Sequence, residues 1–156
     1  MVSWVPEAYG GAGANLAYQL VVQDELARAE VPANSAVHTI AAHYILDYGT
    51  EEQKQRWLPR LASGEMLAGI ALTEPGCGSD LKALRTKASK DGNGYVMDGA
   101  KTFITNGAQA DWVALLARTS DAPGHRSFSL FVVPTNTPGF HVSRKLKKMG
   151  WKCSDT

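Results

Sequence analysis

The sequence predicts an α+β protein in which a helical segment is followed by a small antiparallel β-barrel or sandwich domain. Between residues 16 and 64 the apolar residues recur with a helical period. Beyond Gly64, short runs of β-type residues are separated by Gly, Asp, Asn and Pro, with no helical pattern between them. Strands without intervening helices exclude a parallel Rossmann sheet. We therefore expect a helical domain over residues 1–64 and a β domain over residues 65–156.

The first two helices are predicted from their apolar spacing and their ends. The first spans about Leu16 to Glu30 and stops before Pro32. The second spans Asn34 to Tyr48, with Asn34 or Ser35 as its N-cap and Gly49 ending it in the left-handed conformation. The face that we expect it to bury consists of Ala36, Val37, Ile40, Ala41, Tyr44, Ile45 and Tyr48.

A third helix is predicted to begin at Thr50, because Gln53 stands at the spacing of a capping box. Pro59 lacks an amide hydrogen and should break or kink this helix within Gln55 to Leu61. Ser63 and Gly64 are expected to end it.

Two turn sequences punctuate the β domain. Asp91-Gly92-Asn93-Gly94 is typical of a hairpin turn, and Asp98-Gly99 predicts a second one. The strands are expected near Met66–Thr73, Leu84–Lys90, Tyr95–Asp98, Thr102–Thr105, Trp112–Arg118, Ser127–Val133 and Phe140–Lys145.

Composition excludes several classes of function. Sixteen Lys+Arg against fifteen Asp+Glu give a net charge of +1, which does not favour nucleic acid as a partner. No apolar run approaches the ~20 residues of a membrane span, and no signal or transit peptide is visible near the N-terminus. Two cysteines, Cys77 and Cys153, are too few for a disulfide scaffold and favour a reducing compartment. The four histidines lack metal-site spacing, so no metal is expected.

Two segments are candidates for binding a ligand. Residues 69–80 lead from an apolar strand into a Gly-rich loop, where backbone amides and the hydroxyls of Thr73 and Ser79 could hold a phosphate or a planar heterocycle. Phe103-Ile104-Thr105-Asn106-Gly107 places an aromatic ring and a hydroxyl at a predicted strand end. Taken alone, the residues of the first segment favour a tight turn between strands over a binding loop, whereas those of the second fit a buried strand followed by a turn as well as a binding site.

Five motifs, in order over nearly the whole chain, resemble the acyl-CoA dehydrogenase family. These flavoenzymes introduce a double bond between Cα and Cβ of acyl-CoA thioesters. The motifs are Pro6–Gly11, Gln53–Glu65, Gly69–Asp80, Lys101–Asp111 and Lys148–Thr156. The resemblance implies that the chain is a fragment, with the end of an N-terminal helical domain, most of a middle β domain, and no C-terminal helical bundle.

The resemblance implies FAD as cofactor and assigns residues to it. Ile70, Ala71, Leu72 and Thr73 would lie along the flavin, with Thr73 bonding the pyrimidine side. Gly78 and Ser79 would meet the pyrophosphate, with Ser79 also near the CoA end of the substrate. Phe103, Ile104 and Thr105 would line the other side, with Thr105 bonding near N5.

No catalytic residue is assigned. Removal of the α proton needs a carboxylate, and in the family this base comes from the C-terminal region. Glu74 lies in the loop, but the matching family position is structural. We therefore expect the chain by itself to be inactive.

The resemblance further implies an acyl-CoA substrate, an electron-transfer flavoprotein as acceptor, and a tetramer or dimer. The location would be cytoplasmic in a bacterium and the mitochondrial matrix in a eukaryote. An acyl-CoA oxidase, a flavin monooxygenase of the same fold, and a non-catalytic packing module remain open as alternatives.

Overall fold

The structure is a computed structural model that describes residues 2–31, 36–151 and 154–156. The helices precede the strands, as the sequence predicts. The helices are α1 (Leu16–Arg28), α2 (Ala36–Tyr48) and α3 (Glu51–Ser63), and the strands are β1 (Ala68–Ala71), β2 (Lys87–Asp91), β3 (Gly94–Asp98), β4 (Trp112–Arg118) and β5 (Phe128–Pro134). None of the helices in these residues is long and apolar enough to cross a membrane.

Helix α3 begins at the predicted capping box. Thr50 accepts the N–H of Gln53, and the Gln53 side chain accepts the N–H of Thr50. We predicted a break or kink near Pro59. The helix instead continues through Pro59 to Ser63, and it ends, as expected, at Gly64, which adopts the left-handed conformation. A proline in a helix interior costs about 3 kcal/mol. Burial of the neighbouring side chains Trp57, Leu58 and Leu61 offsets this cost.

Helix α2 buries a face that matches the predicted one only in part: Ala41 and Ile45 are buried as predicted, and Tyr44 packs against the core. His38, Ala41, Ala42 and Ile45 are buried, whereas Ile40 and Tyr48 are exposed. The face is rotated because α2 packs against both α3 and β1. The predicted caps Asn34 and Ser35 lie outside the described residues. Gly49 does not adopt a positive φ; a Cβ there would lie 2.5 Å from the Ile45 carbonyl oxygen, so close packing excludes a side chain.

Helix α1 is present but buries none of its side chains. Asn15 caps its start by accepting the N–H of Ala17. Leu16, Leu20 and Val22, which belong to the apolar pattern that predicts this helix, are all exposed. Only Gln19 and Leu26 of this helix are even partly covered, so α1 contributes little to the core of the described chain.

The five strands form one mixed sheet with β4 at its centre. β5 pairs antiparallel along the whole of β4. The opposite edge of β4 is shared by β1, paired parallel over residues 112–115, and by β2, paired parallel at Arg118. β2 and β3 form the predicted hairpin, in which Asp91 pairs with Gly94. The pairing is therefore mixed and not purely antiparallel.

Two predicted strands are wrong. Residues 102–105 do not form a strand, because Phe103 has a left-handed backbone (φ 57°) that a strand cannot contain. The predicted turn at Asp98-Gly99 consequently does not make a second hairpin. Residues 140–145 pair with no strand in the described part of the chain.

The alternation of β4 builds a separate core on each face of the sheet. Trp112 and Ala114 pack with helices α2 and α3, so the helical segment and the sheet share their main core. Val113 faces the other way, in a smaller cluster with Ala71 and Ala110 that Ile104 covers. This second face brings the 101–110 segment beside β1.

Candidate functional site

The structure places the two candidate segments side by side. The Lys101 Nζ donates to the Leu72 carbonyl oxygen at 3.1 Å, and the Thr102 N–H donates to the Thr73 carbonyl oxygen at 2.9 Å. At the other end, the Asn106 side-chain amide donates to the Ala68 carbonyl oxygen at 3.1 Å. Residues 101–106 therefore run along the edge of β1 that β4 does not use.

This edge is anchored at both ends and open between them. The carbonyls of Ala68 and Leu72 point toward the 101–106 segment, as their hydrogen bonds show. Alternation along a strand places the N–H and C=O of Ile70, and the N–H of Leu72, on the same edge. The two anchoring hydrogen bonds, from Lys101 and Asn106, do not use these three groups. Along the strand, the groups are a donor (Ile70 N–H), an acceptor (Ile70 C=O) and a donor (Leu72 N–H).

Phe103 lies beside the open edge in an unusual conformation. Its side chain is 67% exposed and its φ is positive, which is uncommon for a bulky residue. Strain of this kind is held by surrounding structure and marks functional sites more often than ordinary turns. Here the surroundings are Ile104, packed into the smaller core, and the Asn106 anchor.

Two threonines, Thr73 and Thr105, lie near opposite ends of this edge: the Thr73 carbonyl oxygen accepts the N–H of Thr102, and a Cβ at Gly69 would lie 3.3 Å from the Thr105 carbonyl oxygen. Thr73 and Thr105 are half-buried. Among the described residues, the hydroxyl of neither threonine has a hydrogen-bond partner. Both are therefore available to a ligand.

The Gly-rich loop begins with a tight turn. Glu74 and Cys77 exchange backbone hydrogen bonds of 2.9 and 3.1 Å, with Pro75 and Gly76 at the corner. Gly78 and Ser79 follow on the exposed side. A Cβ at Gly78 would meet nothing within 4 Å, so the backbone there is open to approach. Cys77 is a buried free thiol, whereas Cys153 lies outside the described residues.

Glu74 is the centre of a buried polar network that joins the two segments. Its carboxylate accepts hydrogen bonds from the N–H of Arg85 (2.7 Å), the N–H of Thr86 (2.9 Å) and the Lys101 ammonium (2.9 Å), and also from the Thr86 hydroxyl. The side chains of Glu74 and Lys101 are only 6% and 9% exposed.

The protonation states follow from these contacts. Burial alone would raise the pKa of Glu74, but the hydrogen bonds from Thr86, Arg85 and Lys101 outweigh it and hold the pKa at about 2. Burial lowers the pKa of Lys101, and Glu74 partly offsets this. Glu74 is thus a permanently ionised structural carboxylate, and sequence reasoning did not identify Lys101 as its partner. No pattern in the sequence indicates an ion pair between residues 27 positions apart.

The last described residues, 154–156, contact the turn that follows Thr105. The buried Asp155 accepts the N–H of Ala108 at 2.5 Å, and its carbonyl accepts the N–H of Asn106 at 3.3 Å. Lys148 in turn donates to the Ser154 carbonyl oxygen at 2.7 Å. Sequence reasoning recognised this segment as a motif but gave it no role; here it closes the turn that carries Asn106.

Within residues 2–31, 36–151 and 154–156, no three His, Cys, Asp or Glu side chains are grouped to hold a metal ion.

The fold is that of the N-terminal and middle domains of the acyl-CoA dehydrogenases, and the chain belongs to that family. The family's N-terminal domain matches residues 1–65, and its middle domain matches residues 69–156.

Individual relatives agree. The chain is 44% identical to an acyl-CoA dehydrogenase of Bacillus subtilis, covering 97% of this chain and 41% of the relative. It is 37% identical to the mitochondrial isobutyryl-CoA dehydrogenase of Dictyostelium discoideum, covering 98% and 37%. The crystal structure of an acyl-CoA dehydrogenase from Geobacillus kaustophilus superposes with a TM-score of 0.86 at 46% identity, covering 96% and 40%. The chain thus spans about two fifths of the length of these relatives.

Proposed function

We propose that this chain forms the flavin-binding part of an FAD-dependent acyl-CoA dehydrogenase that oxidises the Cα–Cβ bond of acyl-CoA thioesters. The observation that carries the proposal is the open edge of β1, framed by Lys101 and Asn106 and bordered by the exposed ring of Phe103. Family membership supports this proposal. We also propose that residues 1–64 and 65–156 are parts of two separate domains, one helical and one β.

The open edge fits a flavin. Its donor, acceptor and donor groups, from Ile70 and Leu72, complement the acceptor, donor and acceptor order of a flavin's pyrimidine edge. Ala71 turns its side chain into the smaller core, so its contact would be through the backbone. The Thr73 hydroxyl, which has no partner in the described part of the chain, would add a hydrogen bond on the pyrimidine side.

The second segment would complete the cofactor site. The exposed ring of Phe103 offers an apolar face to a planar heterocycle. Ile104 is packed into the smaller core and fixes the backbone, while Thr105 would bring its hydroxyl near N5. The exposed backbone at Gly78 and the hydroxyl of Ser79 would receive the pyrophosphate, with Ser79 also near the CoA end of the substrate.

Bound FAD would supply the hydride acceptor for the oxidation. The chain's own residues bind and orient it, and we propose that the base which removes the α proton lies in a C-terminal region of the whole protein. Glu74 cannot take this role, because its carboxylate is buried, accepts hydrogen bonds from three residues, and has its pKa held at about 2.

The wider functional assignments also rest on the family. We propose an acyl-CoA substrate, with fatty-acid or branched-chain acyl oxidation as the process, and an electron-transfer flavoprotein as acceptor. We also propose a dimer or tetramer, located in the cytoplasm of a bacterium or the mitochondrial matrix of a eukaryote.

Visible absorbance of the whole purified protein tests the function. We expect a flavin spectrum that is bleached anaerobically by one or more members of a panel of straight and branched acyl-CoA thioesters. Bleaching with rapid recovery in oxygen would instead indicate an oxidase. A flavin spectrum that no thioester bleaches would favour a monooxygenase, and absence of flavin with no affinity for added FAD would leave only a packing module.

A further inference from the structure

We propose that Glu74 and Lys101 are a pair of positioning residues that hold the β1 edge in its binding form and keep that edge electrically neutral beside the flavin. This inference rests on the proposed function. The pair itself is observed: the ammonium and carboxylate are 2.9 Å apart and both side chains are buried.

The position of the pair supports this role. Glu74 directly follows Thr73, and Lys101 directly precedes Thr102, so each partner lies next to a residue of the Thr73–Thr102 backbone hydrogen bond. The Lys101 ammonium also bonds the Leu72 carbonyl oxygen. A single cation thus ties the end of β1 to the start of the second binding segment.

The two partners are held unequally. Glu74 keeps three other donors, the N–H groups of Arg85 and Thr86 and the Thr86 hydroxyl, if Lys101 is removed. It would therefore stay ionised and leave a buried negative charge. Among the described residues, Lys101 has only the Leu72 carbonyl oxygen as a partner besides Glu74. Loss of the Glu74 charge leaves the ammonium as an uncompensated positive charge at the edge.

Opposite charges should act oppositely on a redox group. Reduction adds electrons, so a lone cation nearby stabilises the reduced form and a lone anion destabilises it, strongly where water is excluded. In contrast, if the pair were purely structural, both variants would weaken flavin binding, but the midpoint potential would not shift in opposite directions in the two variants.

The test compares the whole flavin-loaded protein with Glu74→Gln, Lys101→Met and the double variant. The midpoint potential of the flavin and the dissociation constant of FAD are measured at pH 6, because a lower pH favours the protonated form of Lys101. Glu25→Gln on α1 and Lys90→Met on β2, both exposed, serve as matched controls.

We expect the potential to fall in Lys101→Met, to rise in Glu74→Gln and to return toward the wild-type value in the double variant. FAD binding should weaken roughly tenfold or more in each single variant, as expected for loss of a hydrogen bond to a charged group. The controls should match the wild type.

Shifts of the same sign, or none, in the two single variants would overturn the proposal while leaving the flavin function intact. If Lys101→Met does not fold, the Glu74→Gln arm decides alone: a rise supports the proposal, and no change or a fall contradicts it. If neither variant folds, the pair serves stability only and the proposal is wrong. A wild-type protein without flavin would contradict the proposed function instead.

Discussion

The Nδ1 atom of His38 accepts the N–H of Ala68 at 3.3 Å, while its Nε2 lies 3.1 Å from the Leu61 carbonyl oxygen. Since Nδ1 is the acceptor, the proton must be on Nε2, which donates to Leu61. One neutral imidazole therefore joins α2, the end of α3 and the first residue of β1. The helical segment fixes the start of the strand whose edge forms the candidate site.

Protonation of His38 should destabilise the fold. Burial lowers the pKa of His38, and the hydrogen bond to Leu61 only partly offsets this. The unfolded chain therefore takes up its proton first, so the free energy of unfolding should decrease as pH falls below about 6.5. Chemical denaturation of the whole protein at several pH values measures this. His38→Gln should be less stable at neutral pH but lose this part of the pH dependence.

The matched control for this experiment is His141→Gln, at an exposed position. It should keep the wild-type pH dependence. If His38→Gln has the same slope as the wild type between neutral pH and pH 5, His38 is not the titrating group.

The anchor at Asn106 can be tested with an isosteric change. Asn106→Asp replaces the amide that donates to Ala68 with a carboxylate oxygen facing the Ala68 carbonyl. We expect a loss of about 1–3 kcal/mol in stability and weaker FAD binding, because a buried acceptor loses its donor. Thermal unfolding and flavin titration measure both effects. Asn93→Asp, in the exposed β2–β3 turn, is the control, and equal behaviour of the two variants would disprove the anchor.

Sequence patterns predict the local features of this chain better than its long-range ones. The capping box at Thr50 and the hairpin turn after Asp91 depend on residues a few positions apart, and both are present. The buried face of α2 was predicted only in part, because the position of β1 and α3 decides which side is covered: Ala41 and Ile45 are buried, but Ile40 and Tyr48 are exposed. The segment at Phe103 was misread as a strand, since its left-handed backbone is imposed by tertiary packing.

In the candidate site too, the local features were predictable from the sequence and the long-range contacts were not. The two candidate segments were singled out from their residues and from the family resemblance, and the structure places them side by side. The contacts that hold them, Lys101 with Glu74 and Asn106 with Ala68, span 27 and 38 residues. Such pairings have no local pattern and depend on the sheet that brings the segments together.

Thr105→Val should weaken flavin binding or shift the flavin's potential. The hydroxyl has no partner within the described residues, so its removal should cost little in the apoprotein. In the flavin complex it would remove one hydrogen bond near N5, worth about 1 kcal/mol. FAD titration and a redox titration measure these effects. Thr137→Val, at an exposed position, is the control, and an unchanged spectrum, affinity and potential in Thr105→Val would exclude the assignment.

Phe103 offers a test in which stability and binding should separate. Its positive φ costs about 1–2 kcal/mol for a residue with a Cβ, and glycine avoids that cost. Since the ring is largely exposed, its loss removes little burial. Phe103→Gly should therefore be about 1 kcal/mol more stable than Phe103→Ala in the apoprotein, by denaturant unfolding.

Both variants should bind FAD more weakly than the wild type, because both lack the aromatic face. If both variants bind FAD as tightly as the wild type, the ring does not contact the flavin, whatever the stabilities of the variants. If Phe103→Ala is as stable as Phe103→Gly, the strained backbone at residue 103 has relaxed.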